Sequence, residues 1–407
     1  MTLRHDPARP TADLLSAARL LLPELTAWRR SLHRTPEVGL DLPHTQRAVL
    51  DALAGLPLTV TTGNRLSSVT ATLEGARPGR TIVLRADMDA LPLTEDTGLP
   101  YASDRPGSMH ACGHDLHTAM LLGACHLLAA RAHDLAGRVV FMFQPGEESC
   151  AGAAHMIDEG VLDTPDQQGA DAAFAMHVTT RFETGTVHLR PGPVYAAADL
   201  IHITVTGRGG HASAPHLALD PVPVACAIVI ALQTMVTRTV NVFDPAVVTI
   251  ARIEAGTATN IIPATARLHG TFRTLTPETR KAVRANIERV ARHVAEAHGA
   301  HAEVTLTETY PPVHNDPAFT DLARRAADAV LGTASVHHLA EPVMGAEDFS
   351  YVLERVPGAM ALLGARPPGT PADGTPDCHS DRVVFDEETM ATGAALHTAV
   401  ALHHLNA

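Results

Sequence analysis

The stretch Thr81-Ile82-Val83-Leu84-Arg85-Ala86-Asp87-Met88-Asp89-Ala90-Leu91-Pro92 opens as a short apolar run and closes on two acids and a turn. A run of that length, bounded by turn residues, reads as a strand buried on both faces. Arg138 to Phe143 and Ala172 to Val178 read the same way, and the Ala- and Leu-rich segment Leu116 to Ala132 between the first two reads as a helix. Strands taking turns with helices predict an α/β core around a central, mostly parallel sheet.

Further along, the pattern changes. Leu200 to Thr206 reads as strand, Leu217 to Val236 as helix, Val247 to Ile253 and Ala266 to Arg273 as strands, Pro277 to Ala297 as helix and Ala302 to Thr309 as strand. That β-α-β-β-α-β order is the ferredoxin-like unit and is long enough to fold as a small α+β domain. Helices follow from Pro317 to Leu331 and from Asp386 to Leu405, and these pieces are expected to rejoin the first domain. The predicted organisation is a catalytic part in residues 1–195, an inserted domain in 196–309 and a second catalytic part in 310–407.

At 407 residues, 45% hydrophobic and 18% charged, the chain has the balance of a folded two-domain protein. Its net charge is −13 and no block of Lys or Arg could track a phosphate backbone, so nucleic acid is excluded as a partner and a small-molecule substrate is expected. The apolar run Leu14 to Leu25 contains Arg19 and Pro23; it is too short for a membrane span and reads as a surface helix. The five cysteines are scattered and odd in number, which fits a reducing, cytoplasmic setting without membrane attachment.

The chemistry concentrates beyond the strand ends, where open α/β sheets place it. Met109-His110-Ala111-Cys112-Gly113-His114-Asp115 offers a thiolate and an imidazole at i, i+2 in a glycine-containing loop before a helix. Phe143-Gln144-Pro145-Gly146-Glu147-Glu148 offers two adjacent acids, and Met176-His177-Val178 another imidazole. Thiolate, imidazole and carboxylate bind borderline transition metals, and a glutamate beside a ligand can move protons. Each residue has a plainer reading: a strand-end Asp87 or Asp89 caps turns, free cysteine packs as a small hydrophobe, and His177 could be one of many core histidines among the 25. Their convergence favours a hydrolytic metal site. His5, His44, His126, His133 and His301 are assigned to surface or structure.

These residues, together with Leu32-His33-Arg34-Thr35-Pro36-Glu37, the 85–92 segment, Gly207-Arg208-Gly209-Gly210-His211-Ala212, Asn260-Ile261-Ile262-Pro263, Met344-Gly345-Ala346-Glu347-Asp348-Phe349 and Cys378-His379-Ser380, occur in a telling order. Over nearly its full length the chain resembles the M20 metallopeptidases, in the amidohydrolase branch with hippurate hydrolase and the indole-acetyl-amino-acid hydrolases. The resemblance implies a zinc-peptidase-like catalytic domain with two divalent metal ions per subunit, covered by a ferredoxin-like lid.

By that resemblance Cys112 bridges the ions, His114, Glu148, His177 and His379 complete their ligands, Glu147 is the general base and Asp89 orients a ligand. Asp87 falls where other branches carry a metal-binding His. In the lid, His211 would follow a flexible glycine turn to meet the oxyanion, Asn260 and Arg273 would meet substrate, and Gly345 would present backbone N–H groups. Arg273 suits a bidentate carboxylate clamp, although a surface Arg on a sheet edge is the alternative. Glu347 and Asp348 would only hold their turn.

The implied activity is hydrolysis of N-acyl-amino acids to a carboxylic acid and a free amino acid. A dipeptidase or aminoacylase of the same family is the alternative, followed by a binding protein that keeps the fold without turnover. The ligands suit Zn²⁺, Mn²⁺, Co²⁺ or Ni²⁺, and the lid would carry a homodimer or homotetramer contact. Thr35, Thr180 and Asp377-Cys378 depart from the family pattern, and the 179–186 and 365–376 segments are expected to shape the acyl pocket.

Overall fold

The run beginning at Thr81 is the inner part of a strand, Arg77–Asp87, buried from Thr81 onward. It lies between Ala136–Gln144 and Ala172–Glu183, parallel to both, and Gly358–Arg366 extends the parallel core beyond them. Val69–Glu74 and Thr59–Thr62 add an antiparallel edge on one side. On the other, Val187–Leu189 pairs antiparallel with Gly358–Arg366 and parallel with the edge strand Val336–His338. The result is an eight-stranded mixed sheet with a parallel centre.

The computed structural model describes residues 13–163 and 169–406, so His5 lies outside the described residues. The chain divides into two units: Met1–Gly192 with His314–Ala340 and Tyr351–Ala407, and Pro193–Val313 with Glu341–Ser350. In the first, helices His114–Ala129 and Thr389–Leu405 are buried along nearly their whole length and pack on each other. Because both are apolar all round, neither has a solvent face. The run expected to be a surface helix is instead two helices, Leu14–Leu20 and Leu22–Arg34, that send Leu14, Ala18 and Leu25 into the core. Their apolar residues sit at helical spacing, which buries one stripe.

The second unit contains four antiparallel strands in the order Ala246–Ala255, Thr265–Thr274, Ala197–Thr206, His301–Glu308. With helices Pro221–Thr239 and Pro277–Ala297 between them, this is the ferredoxin-like arrangement. Asp220 and Thr276 cap the helices by accepting from Val222 N and Thr279 N. Pro221–Thr239 is long and apolar enough to cross a membrane by length and composition, but Val224, Ala225, Ile228, Leu232 and Met235 join the cluster formed with the sheet. Glu341–Ser350 groups with this unit and not with the C-terminal stretch to which sequence assigned it. The tie is backbone pairing: Ala196 N donates to Val343 O and Gly345 O at 3.1 and 2.9 Å, and Val343 N to Val194 O at 2.7 Å.

Candidate metal centre

The loop before helix His114–Ala129 turns at Gly113, whose φ of +85° and whose absent Cβ, 2.4 Å from Val178 Cγ2, leave room only for glycine. That turn makes His114 the first residue of the helix, where sequence had left it in the loop. His114 Nδ1 donates to the Asp89 carbonyl at 2.8 Å, which fixes the tautomer; Nε2 is buried without a hydrogen-bond partner among the described residues. The strand Ala172–Glu183 runs past His177, which sequence had placed at its end. Arg85 and Ala175 are nonetheless the last pair with Arg77–Asp87, so His177 stands two residues beyond that pairing, while on its other side it is still paired with Leu362. His177 Nδ1 donates to Val178 O at 2.7 Å, turning Nε2 toward Cys112.

Cys112 Sγ lies 3.3 Å from both His177 Nε2 and His379 Nε2, and His379 Nε2 lies 3.1 Å from Glu148 Oε1. Two groups of possible ligands therefore share Cys112: one with His114 and His177, the other with Glu148 and His379, each with its donor atoms within 4.8 Å of one another. Glu147 adjoins His114 and Glu148 in a third such group. Asp89 acts through the backbone, its carboxylate oxygens accepting from Glu147 N at 2.9 Å and Glu148 N at 3.0 Å. The turn it holds contains Ser149 and Ala151 at positive φ, and His379 also has a φ of 70°. Non-glycine residues in that region cluster where function demands a particular geometry.

Electrostatically the pocket calls for positive charge. Burial opposes a charged His114, but Asp87, Asp89 and Glu148 outweigh it and push the imidazole up to about 10. The Cys112 thiol is driven well above its ordinary range by a hydrogen bond with the free Cys378 thiol, by burial and by Glu148 and Glu147, so a thiolate there needs a cation beside it.

Sequence reading missed the supports. His117 donates from Nδ1 to Asp87 Oδ1 at 2.6 Å, and its Nε2 accepts from Val178 N at 2.9 Å. With both nitrogens used, it is no ligand, which removes the Asp87, His114 and His117 group as a third metal position. Burial disfavours its charged form and takes it down to about 4. Asp87 is held by Arg85 Nη1 at 2.8 Å, and Asp115 pairs with Arg29 Nε at 2.8 Å and His33 Nδ1 at 2.7 Å, all three buried. The i, i+3 spacing of His114 and His117, which puts both on one helix face, was the available signal.

In the second unit, His211 pairs with Ile261 in a two-stranded ribbon, and Asn260 O accepts from Ala212 N, so His211 and Asn260 are neighbours. Ser213 Oγ and N lie 2.7 and 3.1 Å from His211 Nδ1. The glycines before His211 serve close approach, not flexibility: a Cβ at Gly207 would stand 2.1 Å from Leu219 O, and none has positive φ. Arg273 is half-buried and makes no hydrogen bond or ion pair among the described residues; the nearby Asp199 is bonded by Arg280 at 2.8 Å. Gly345 has ordinary space around it, so a tight turn does not explain it. Glu347 Oε1 accepts from Phe349 N at 2.8 Å and shapes that turn.

A family model described as Peptidase family M20/M25/M40 matches residues 83–403. The chain belongs to that family. It is similar to the N-acetylcysteine deacetylase of Bacillus subtilis, 38% identical over 92% of this chain and 95% of that one. It is also similar to the IAA-amino acid hydrolase ILR1-like 2 of Arabidopsis thaliana, 34% identical over 99% and 90%. A crystal structure of a dinuclear metal binding M20 family peptidase from Bacillus subtilis superimposes with a TM-score of 0.83, at 34% identity over 95% and 99% of the two chains. The membership thus extends to the amidohydrolase branch of the family.

Proposed function

We propose that this chain is a metal-dependent amidohydrolase that splits an N-acyl-amino acid into a carboxylic acid and a free amino acid, with Cys112, His114, Glu148, His177 and His379 holding two divalent ions. One observation carries the reading: Cys112 Sγ stands 3.3 Å from two imidazole nitrogens. A sulfur and bare ring nitrogens converge in this way around a cation. The buried, unpartnered His114 Nε2 and the surrounding carboxylates support the same fit. One sulfur, three nitrogens and a carboxylate suit Zn²⁺, and Mn²⁺, Co²⁺ and Ni²⁺ also accept them.

When bound, two such ions polarise the amide carbonyl and bring proton loss from water into the neutral range. Glu147, buried beside Glu148, takes the proton from the attacking water and delivers it to the leaving nitrogen as the C–N bond breaks. Asp89 keeps both glutamates in place through their N–H groups. His211, oriented by Ser213, and Asn260 steady the developing oxyanion, and Gly345 contributes backbone N–H groups. The unpaired Arg273 guanidinium clamps the α-carboxylate of the amino-acid half.

The second unit acts as lid and as contact in a homodimer or homotetramer. The support for the contact is the edge strand Ala246–Ala255, paired on one side only among the described residues, with Val247 and Ile253 exposed, and the exposed Ile230 on helix Pro221–Thr239. Five free cysteines support a cytoplasmic location.

The test is amino-acid release by metal-stripped protein from benzoyl, acetyl, indole-acetyl and long-chain acyl amino acids, with and without added Mn²⁺ or Zn²⁺. Metal-dependent release is expected, and Glu147→Gln should keep its ions while losing ~10²-fold in turnover. Folded protein that binds two ions and releases nothing from any of them would overturn the reading.

A further inference from the structure

The turn that carries His379 is tied to the strand that carries His177 by a set of hydrogen bonds centred on Asp377, which is not itself a candidate ligand. Thr179 Oγ1 donates to Asp377, 3.0 Å from Oδ1 and 3.2 Å from Oδ2. Thr180 N donates to Asp377 Oδ1 at 3.1 Å, and Thr180 Oγ1 lies 2.8 Å from Pro376 O and 3.0 Å from Asp377 Oδ1. Cys378 Sγ donates to Val178 O at 3.5 Å, the same carbonyl that fixes His177 Nδ1. On the far side, His379 N donates to Ala111 O at 2.9 Å, next to Cys112.

Two facts give this clasp a task. His379 is the candidate ligand whose side chain is 55% exposed, so packing does not hold the imidazole and the backbone must aim it. That backbone sits at a φ of 70°, a conformation that a residue with a Cβ rarely adopts and that persists only where surrounding bonds impose it. Thr179 and Thr180 are buried, which makes them a rigid anchor.

We propose that Asp377 is a positioning residue: clasped by Thr179 and Thr180, it sets the turn that brings the His379 imidazole to Cys112 and Glu148. The proposal rests on the ligand assignment above. Loss of the clasp leaves His379 present but free to swing, so affinity for one of the two ions falls while the other keeps its place. Contacts that orient a ligand without touching the ion are worth about 10–100-fold in metal affinity, and the clasp orients His379 through the turn that carries it.

The test uses the full, metal-stripped chain titrated with Zn²⁺ against a competing chelator, and with Co²⁺ followed by its visible absorption. Asp377→Ala, and separately the pair Thr179→Val and Thr180→Val, should weaken one of the two ions by about 10–100-fold and alter one set of Co²⁺ bands. Asp377→Asn, which keeps one accepting oxygen, should recover part of the affinity. A general structural role would instead lower the denaturation midpoint of the metal-free chain and weaken both ions alike, and that result refutes the proposal. His379→Ala provides the reference. If it loses one ion while the Asp377 and Thr variants bind both like wild type, the clasp has no positioning role. If His379→Ala itself binds both ions like wild type, the ligand assignment fails and the proposal falls with it.

Discussion

Replacing Asp89 by Asn tests how the two glutamates are held. Each carboxylate oxygen accepts one backbone N–H, from Glu147 at 2.9 Å and from Glu148 at 3.0 Å. Asparagine keeps one oxygen and turns an amide N–H₂ toward the other donor, so one bond disappears and the survivor loses its charge. Hydrogen bonds to charged groups contribute about 1.5–3 kcal/mol and neutral ones roughly half that, which puts the loss near 2–4 kcal/mol. The turn also contains Ser149 and Ala151 at positive φ, and each such residue costs on the order of 1–3 kcal/mol. The energy removed therefore matches the strain it restrains, and the turn should relax with Glu147 and Glu148 on it. We expect Asp89→Asn to lower the stability of the metal-free chain by ~2–4 kcal/mol in chemical denaturation, given these bond energies. The affinity for one ion should fall by about 10–100-fold in chelator competition. A variant with wild-type midpoint and affinity would mean that these bonds do not hold the motif.

Arg273→Met should raise KM for N-acyl-amino acids more than for their amides, since only the former carry the carboxylate; equal effects in steady-state kinetics would remove the clamp. Loading the metal-free chain at pH 7 should release about two protons, from the raised Cys112 thiol and from His114, read by calorimetry in buffers of different ionisation enthalpy; release near zero would contradict the ligand assignment. His397 is fully buried and depressed to about 3 from 6.5 by burial and by His117. The unfolded chain therefore binds the extra proton first, and stability is lost as pH falls from about 6.5 toward 3, by up to ~1.4 kcal/mol per unit. His397→Leu should flatten that slope in denaturation midpoints measured at pH 7 and 5, and an unchanged slope would show that His397 does not report it.

Most of the architecture was legible because the two periodicities were clean. Helices Pro277–Ala297 and Pro317–Leu331 begin at prolines with Thr276 and Asp316 as caps and were read to the residue. Gly358–Arg366, buried at every position, was missed as a strand. Its Ala and Gly content carries little β propensity, and its place between a parallel neighbour, Ala172–Glu183, and an antiparallel one, Val187–Leu189, makes it extended. Candidate ligands could be listed from residue type and position, but His117 and Asp377 could not be separated from ordinary polar residues. Their roles are hydrogen bonds to groups far away in sequence: Asp377 meets Thr179, and His117 meets Asp87 and Val178. Propensity and spacing are blind to such pairs.

The strand Gly358–Arg366 sits between Ala172–Glu183 and Val187–Leu189, which has a consequence for synthesis. While the ribosome is still making the middle of the chain, the edge of Ala172–Glu183 that this strand will cover has no partner, and it is a buried-type, apolar edge. Nascent chains in that state are open to aggregation. The candidate ligand His379 emerges later still, so the proposed metal centre cannot be completed on a partial chain. On that proposal the enzyme would come into being inert and gain its full set of candidate ligands only after Gly358–Arg366 has completed the sheet and the turn beyond it has followed.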